Sequence, residues 1–416
     1  MRLRWLWVWL IFGVAGTGAR AAEFALKSGD RVVFLGDSIT ALGDYTRLVM
    51  SYVTLREPGA SITFLRNAGV PGDTAPGGVK RLATDVLSQH PTVVSICFGM
   101  NDGRVPPFTP PMCDTFMAGM SNLVATLTAA HVRVVLLTPG CVDPDTAGRW
   151  FKAPGEPEQC NAMLGRLAEG VKAMAARENL PVADIHSTML AAQTKGKAAS
   201  SLWTMIPDGI HPDTVGATVM AYTLVGALGY TGPVSSLTLD VRHGLVATER
   251  CTVTGLQIES NKISFVRRDA ALPAFVGTNA NVIATCFPLV RALREYRLAL
   301  TGLPAGTWRL TVGAAGVAGD FTAAQLAAGV DLADAPGPWR ALGERVEMLC
   351  GDQQKLRVNR AGAGGRLQTW LPAEARTETT ALFEKVDRVI DERETARQQT
   401  AGAGLENVWT LTRIKP

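Results

Sequence analysis

The chain has 416 residues, 47% of them apolar and 19% charged, enough for two domains with sizeable cores and too apolar for a disordered protein. The formal charge is +4, but Arg2, Arg4 and Arg20 fall in an N-terminal segment with the pattern of a leader; without them the 41 basic residues become 38, against 37 acidic ones. With no Lys/Arg block, no Gly-rich phosphate loop and no acidic tail, this balance leaves no electrostatic footprint for nucleic acid.

At the N-terminus, Arg2 and Arg4 precede the apolar stretch Trp5–Val14, which is too short to span a bilayer, and Ala19-Arg20-Ala21 fits a small-residue cleavage rule. The expectation is a secretory signal peptide over residues 1–21 and a periplasmic or extracellular protein with no stable membrane insertion after cleavage. No Cys follows the apolar run, which argues against a lipoprotein anchor. Seven cysteines (Cys97, Cys113, Cys141, Cys160, Cys251, Cys286 and Cys350) cannot all pair. Cys97 sits inside a strand-like run and reads as a buried thiol. Cys141 and Cys160 flank one loop region and form the first disulfide pair to test. No C-x-x-C or Cys/His spacing suggests a metal.

From Arg31 onward, strand-like and helical runs alternate. The strands are expected at Arg31–Leu35, Ile62–Leu65, Val93–Phe98, Val132–Thr138 and Pro181–Ile185. The helices are expected near Tyr45–Arg56, Val79–Gln89, Asp114–Ala130, Pro157–Glu178 and Pro212–Leu228. Continuous apolar strands alternating with helices imply a mostly parallel sheet covered on both faces, hence a three-layer α/β/α sandwich over residues 24–232. After Gly229-Tyr230-Thr231-Gly232-Pro233 the rhythm changes, and residues 233–416 read as a smaller α+β accessory region. Tyr296, Leu298 and Leu300 share one face of a strand, and Trp308, Leu310 and Val312 share one face of the next. The turn Gly302–Gly306 between them predicts a β-hairpin. Thr322 and Gln325 form a capping box for a short helix that Gly329 stops. Longer helices are expected near Trp339–Asp352 and Thr380–Gln399, the second with a narrow apolar face of Leu382, Val386, Val389 and Ile390.

Four short blocks stand where strands end or helices begin. Gly36-Asp37-Ser38 follows the first strand and puts a hydroxyl at its carboxyl end, where open α/β sheets do their chemistry. Such a hydroxyl needs a base to become a nucleophile. Asn67–Thr74 follows the second strand, and Gly72 there lets the backbone come close to a ligand and aim an N–H at it. Phe98-Gly99-Met100-Asn101-Asp102 ends the third strand and offers the Asn101 amide to a developing oxyanion. Asp208-Gly209-Ile210-His211-Pro212 precedes the last helix of the sandwich. An acid three residues before a His can curl back to its Nδ1–H and leave Nε2 to take a proton. Asp37 and Asp102 read as backbone caps and His186 as structural. Trp150-Phe151 belongs to a long loop on the same edge, as a stacking pair or a loop anchor, and Trp203 is placed as a pocket wall.

In this order the blocks resemble those of the SGNH (GDSL-type) serine hydrolases, over about residues 30–230. The resemblance implies that Ser38 is the nucleophile and gives a backbone N–H to an oxyanion hole completed by Gly72 and Asn101. It implies that His211 is the general base and then acid, oriented by Asp208, with no metal or cofactor. Similar exported enzymes with an accessory domain often remove acetyl groups from polysaccharides, so the resemblance, with export and the domain plan, implies an esterase acting on a small ester or an acetylated polysaccharide, most of all O-acetyl groups on carbohydrate. An acetyltransferase working on exported glycan, a lipase or a thioesterase of the same family are the alternatives. Oligomeric state and the acyl group itself leave no mark in the sequence.

Overall fold

The computed structural model describes residues 24–103, 109–277, 280–370 and 373–415. The expected signal segment lies outside the described residues. The first half contains β1 (Arg31–Gly36), α1 (Ser38–Leu42), α2 (Asp44–Arg56), β2 (Thr63–Gly69), α3 (Ala75–Asp85), β3 (Val93–Cys97) and α4 (Pro110–Ala129). It continues with β4 (Arg133–Leu137), α5 (Glu156–Glu178), β5 (Val182–Ala183), α6 (Ile185–Ala199) and α7 (Thr214–Ala227). The five strands make one parallel sheet in the order β2-β1-β3-β4-β5.

The apolar strand sequences dictate two covered faces. Along β1, Val32 and Phe34 point into a core shared with Leu48, Val49 and Tyr52 of α2 and Met220 and Leu224 of α7. Val33 and Leu35 point the other way, onto Leu82 of α3, Phe116 and Leu123 of α4 and Leu167 of α5. The result is a three-layer α/β/α sandwich, with the inner strands β1, β3 and β4 buried as parallel sheets require and the edge strand β2 half-buried.

Two helices of the first half escaped the sequence reading. α1 has only five residues, too few for a periodic signal. α6 buries Ile185, Met189 and Ala192 alongside His186 and Gln193, so its inward stripe is partly polar and the helical period is blurred. The expected Cys141–Cys160 disulfide is absent, and all seven cysteines are thiols. Cys160 turns toward the carbonyl of Gly103, with Sγ 3.7 Å from that oxygen. Cys97 is buried in β3, as its strand position predicted.

The second half contains β6 (Ser235–Asp240), β7 (Gly244–Glu249), β8 (Cys251–Ile258), β9 (Lys262–Asp269), α8 (Ala280–Cys286), α9 (Pro288–Arg294), β10 (Tyr296–Thr301) and β11 (Thr307–Val312). Then come β12 (Val317–Thr322), α10 (Ala323–Ala328), β13 (Val330–Asp331), α11 (Pro338–Trp370), α12 (Ala373–Ala403) and β14 (Glu406–Lys415). The strands form two sheets, β13-β10-β6-β7 and β12-β11-β14-β9-β8. They face each other through Tyr296 of β10, whose ring lies 6.0 Å from that of Trp409 of β14. Buried Arg267 of β9 sits over both rings and pairs with Asp269 at 2.8 Å.

The predicted hairpin of residues 296–312 is therefore wrong in its pairing. Both strands form, but β10 pairs with β6 and β13, while β11 pairs with β12 and β14 in the opposite sheet. Alternation identifies the face a strand buries, and here both faces enter one core without the strands being partners. The Thr322–Gln325 capping box is present and Gly329 ends α10 as expected. α11 and α12 run well beyond the predicted ranges as an antiparallel pair, cross-linked by Arg360 to Asp387 at 3.1 Å. The apolar face assigned to α12 is also corrected. Leu382 and Val389 are exposed, and Phe383, Ile390, Arg397 and Ala401 turn inward.

Candidate active site

The strand order 2-1-3-4-5 places a topological switch between β1 and β3, and crevices at such switches are where open α/β sheets bind ligands. The register aligns Gly36 with Gly69 of β2 on one side and Cys97 of β3 on the other, so three strand ends finish level. Ser38, the Gly72 loop and Asn101 leave from these three ends.

Gly36 is sterically required. A β-carbon there would stand 2.1 Å from the Thr40 hydroxyl and 2.6 Å from the Cys97 carbonyl. That absence lets the chain turn tightly into α1, with Asp37 as its N-cap accepting from the Ile39 N–H at 2.9 Å. Ser38 is the first residue of α1 and half-buried. Its Oγ lies 2.9 Å from Nε2 of His211, 173 residues away in sequence.

His211 is oriented from its own block. Its Nδ1 lies 2.8 Å from Asp208 Oδ2, and the N–H groups of His211 and Ile210 donate to Oδ1 at 2.7 and 3.0 Å. Burial acts to raise the Asp208 carboxyl, but these hydrogen bonds outweigh it and hold the group below the ordinary carboxylate value. The loop after β4 fastens this block in place. Trp150 Nε1 donates to the Asp208 carbonyl at 2.8 Å, and the indole meets the His211 ring edge-on with centroids 5.9 Å apart. The guanidinium of Arg149 covers the indole at 4.6 Å. Trp150 is thus a loop anchor beside the histidine, whereas Trp203 packs over Gly196 of α6.

Across the switch, Gly72 is exposed with φ +77° in the loop between β2 and α3. Asn101 is tied to that loop, its Nδ2 donating to the Asp73 carbonyl at 2.8 Å. An amide carries two N–H groups, so one remains to meet an oxyanion. Asp102 holds the backbone N–H groups of Gly99 and Ala75, both at 3.1 Å, and so joins the end of β3 to the start of α3. Burial pushes Asp102 up to about 6 and Asp37 up to about 7, the latter helped by the charges of Asp102 and Asp73. His186 is buried, with Nδ1 2.9 Å from the Gly140 carbonyl, as befits a structural residue.

Arg81 went unnoticed in the sequence. Two turns into α3, it pairs with Asp73 at 2.7 Å and donates to the carbonyls of Ala68 at 2.8 Å and Gly36 at 3.0 Å. One guanidinium thereby ties the ends of β1 and β2 to the Gly72–Asp73 loop. A lone arginine on a helix face carries no sequence mark of what it will touch. Beside Asn101, an open cleft of about 330 Å³ is lined by Thr74, Pro76, Asn101, Asp102, Thr109, Pro111, Met112 and Thr115.

A hydroxyl, an imidazole and a carboxylate in one hydrogen-bonded chain, at the switch of a parallel sheet, define a hydrolase of the SGNH fold class. Residues 34–219 match the family model of GDSL-like lipases and acylhydrolases. Residues 34–219 therefore form a GDSL-like lipase/acylhydrolase domain, and the protein is a hydrolase of ester bonds. An acetylxylan esterase from Geobacillus stearothermophilus is 24% identical over 226 residues, 49% of this chain and 96% of that enzyme. A solved structure of a gut microbial diltiazem-metabolizing enzyme shares the fold over 94% of this chain and 98% of its own, with a TM-score of 0.77 and 23% identity. A catalytic mutant of an acetylxylan esterase from Geobacillus stearothermophilus aligns over 49% of this chain and 96% of its own, with a TM-score of 0.41 and 22% identity.

Proposed function

We propose that the protein is an exported serine esterase that removes small acyl groups, O-acetyl above all, from carbohydrate. The observation that carries the proposal is the chain of short contacts from Ser38 Oγ through His211 to Asp208. Ser38 attacks the ester carbonyl while His211 Nε2 takes the hydroxyl proton, and Asp208 stabilises the imidazolium. The backbone N–H groups of Ser38 and Gly72 and the Asn101 amide receive the oxyanion. Collapse of the tetrahedral species breaks the bond to the alcohol, which leaves with the proton from His211. Water, deprotonated by His211, then cleaves the acyl-enzyme and restores Ser38.

The acetylxylan esterase relative supports a carbohydrate ester, and the cleft of about 330 Å³ beside Asn101 leaves room for a small ester. The leader-like N-terminus supports export; among the described residues no helix is long and apolar enough to cross a membrane. Residues 24–232 act as the hydrolase domain and residues 233–416 as the accessory region.

The deciding experiment is acetate release from acetylated xylan and pectin by purified protein, alongside an ester panel of rising acyl length. Ser38→Ala should abolish turnover and leave the melting temperature nearly unchanged. Turnover confined to long acyl chains would assign a lipase or thioesterase instead, and acyl transfer to a sugar exceeding hydrolysis would assign a transferase. Hydrolysis surviving Ser38→Ala would remove the mechanism itself.

A further inference from the structure

β2 is the edge strand of the parallel sheet, and its free edge is covered from the other half of the chain. An open strand edge is otherwise a liability, with unpaired backbone groups facing out. Arg357 of α11 donates to the Leu65 carbonyl of β2 at 3.3 Å, and buried Arg397 of α12 donates to the Ile62 carbonyl just before it at 3.2 Å. The same helical pair lies along α2, where Glu347 meets Arg47 at 3.1 Å.

One contact reaches further, to the helix that carries Ser38. Gln354 of α11 donates from Nε2 to the Gly43 carbonyl at 3.0 Å and accepts from the buried Thr46 hydroxyl at 2.7 Å. Gly43 is the residue between α1 and α2; it caps the end of α1 through its N–H to the Thr40 carbonyl at 3.0 Å. The approach is close enough that a β-carbon on Gly43 would stand 1.7 Å from the Gln354 amide nitrogen. Asn67 of β2 completes the knot, donating to the Thr40 carbonyl at 2.5 Å. α1 has five residues and cannot be stable alone, so its direction is set by what holds its two ends. Asp37 holds the Ser38 end. Gln354, Thr46 and Asn67 hold the other.

We infer that α11 is part of the scaffold that aims Ser38, with Gln354 as a positioning residue, so that the second half of the chain contributes to the chemical step on any ester. The inference rests on the reading of Ser38 as nucleophile. It gives the region after residue 233 a role that does not depend on the size or polymeric nature of the substrate.

The test uses the full-length protein with p-nitrophenyl acetate as substrate and a fluorophosphonate as a label for the reactive serine. Gln354→Leu keeps the volume and removes both hydrogen bonds. Arg360→Ala serves as the control, because it breaks the pair with Asp387 inside the helical hairpin. Gln354→Leu should lower kcat about ten-fold with KM within about two-fold, since small misplacements of a reacting group cost rate rather than binding. The fluorophosphonate labelling rate should fall in parallel. The double variant Thr46→Val/Gln354→Leu should be no slower than the worse single one, because both act through the same knot. Arg360→Ala should keep kcat even where its melting temperature falls as far. Wild-type kcat in Gln354→Leu, or an equal loss of kcat in Arg360→Ala at matched stability, would overturn the inference. Labelling that persists in Ser38→Ala would instead reject the nucleophile assignment, so the two failures are distinct.

Discussion

Replacing Arg81 with Met keeps the aliphatic stem on α3 and deletes the guanidinium that joins three functional segments. The heaviest cost falls on Asp73. Its side chain is 12% exposed and that of Arg81 15%, so the change strands a carboxylate in a mostly buried site. Breaking such a pair costs about 3–5 kcal/mol. The Ala68 carbonyl loses a donor, for about 1 kcal/mol, whereas the Gly36 carbonyl keeps the Val70 N–H at 3.1 Å and adds little. Residual exposure of the pair favours the lower end of the range, and the loss should come to about 4 kcal/mol in urea unfolding. The kinetic effect follows from geometry. The Asp73 carbonyl anchors Asn101, and Gly72 precedes Asp73, so a slack loop blurs two of the proposed oxyanion donors together. On p-nitrophenyl acetate, kcat should fall about 100-fold with KM little changed, at a temperature where the variant is folded. Arg81→Lys keeps a charge for Asp73 but cannot fork to the carbonyls, so it should recover most of the stability and only part of the rate. A variant Arg81→Met that loses its stability but keeps kcat within about two-fold would refute the idea that this guanidinium holds the oxyanion loop.

Asp208→Asn should lower kcat by about 10⁴-fold with little change in KM, because the imidazole loses its tautomer and its countercharge; steady-state kinetics of the folded variant check this. Asn101→Ala should cost about 10²–10³-fold in kcat by removing one oxyanion donor, and a loss of less than about ten-fold would exclude it from that role. Asp37 makes a prediction about stability against pH. Its folded value is raised to about 7 from 3.8, chiefly by burial, so its contribution is fully present below pH 3.8 and is lost as pH rises through 7. Asp37→Asn keeps an acceptor for the Ile39 N–H and avoids that loss. The melting temperature of Asp37→Asn relative to wild type should therefore climb between about pH 4 and pH 7 and then level off. A constant difference across that range would contradict the assignment.

The parallel strands and most of their helices were legible in the residues alone, because β-branched and leucine runs that bury both faces have few other uses. So was the local geometry of two blocks. The curl of Asp208 onto His211 spans three residues, and the turn at Gly36 follows from what a missing side chain permits. These features depend on short stretches of chain, and short stretches carry their own geometry. Long-range packing chose the strand order that puts β1 beside β3, and with it the meeting of Ser38 and His211 across 173 residues. It also sent β10 and β11 into opposite sheets, left Cys141 and Cys160 unjoined, and brought Arg81 and Gln354 onto the backbone around Ser38. The physical reason is common to all of these. Periodicity states which face of a segment is buried, while the partner on that face is chosen by packing among segments far apart in the chain.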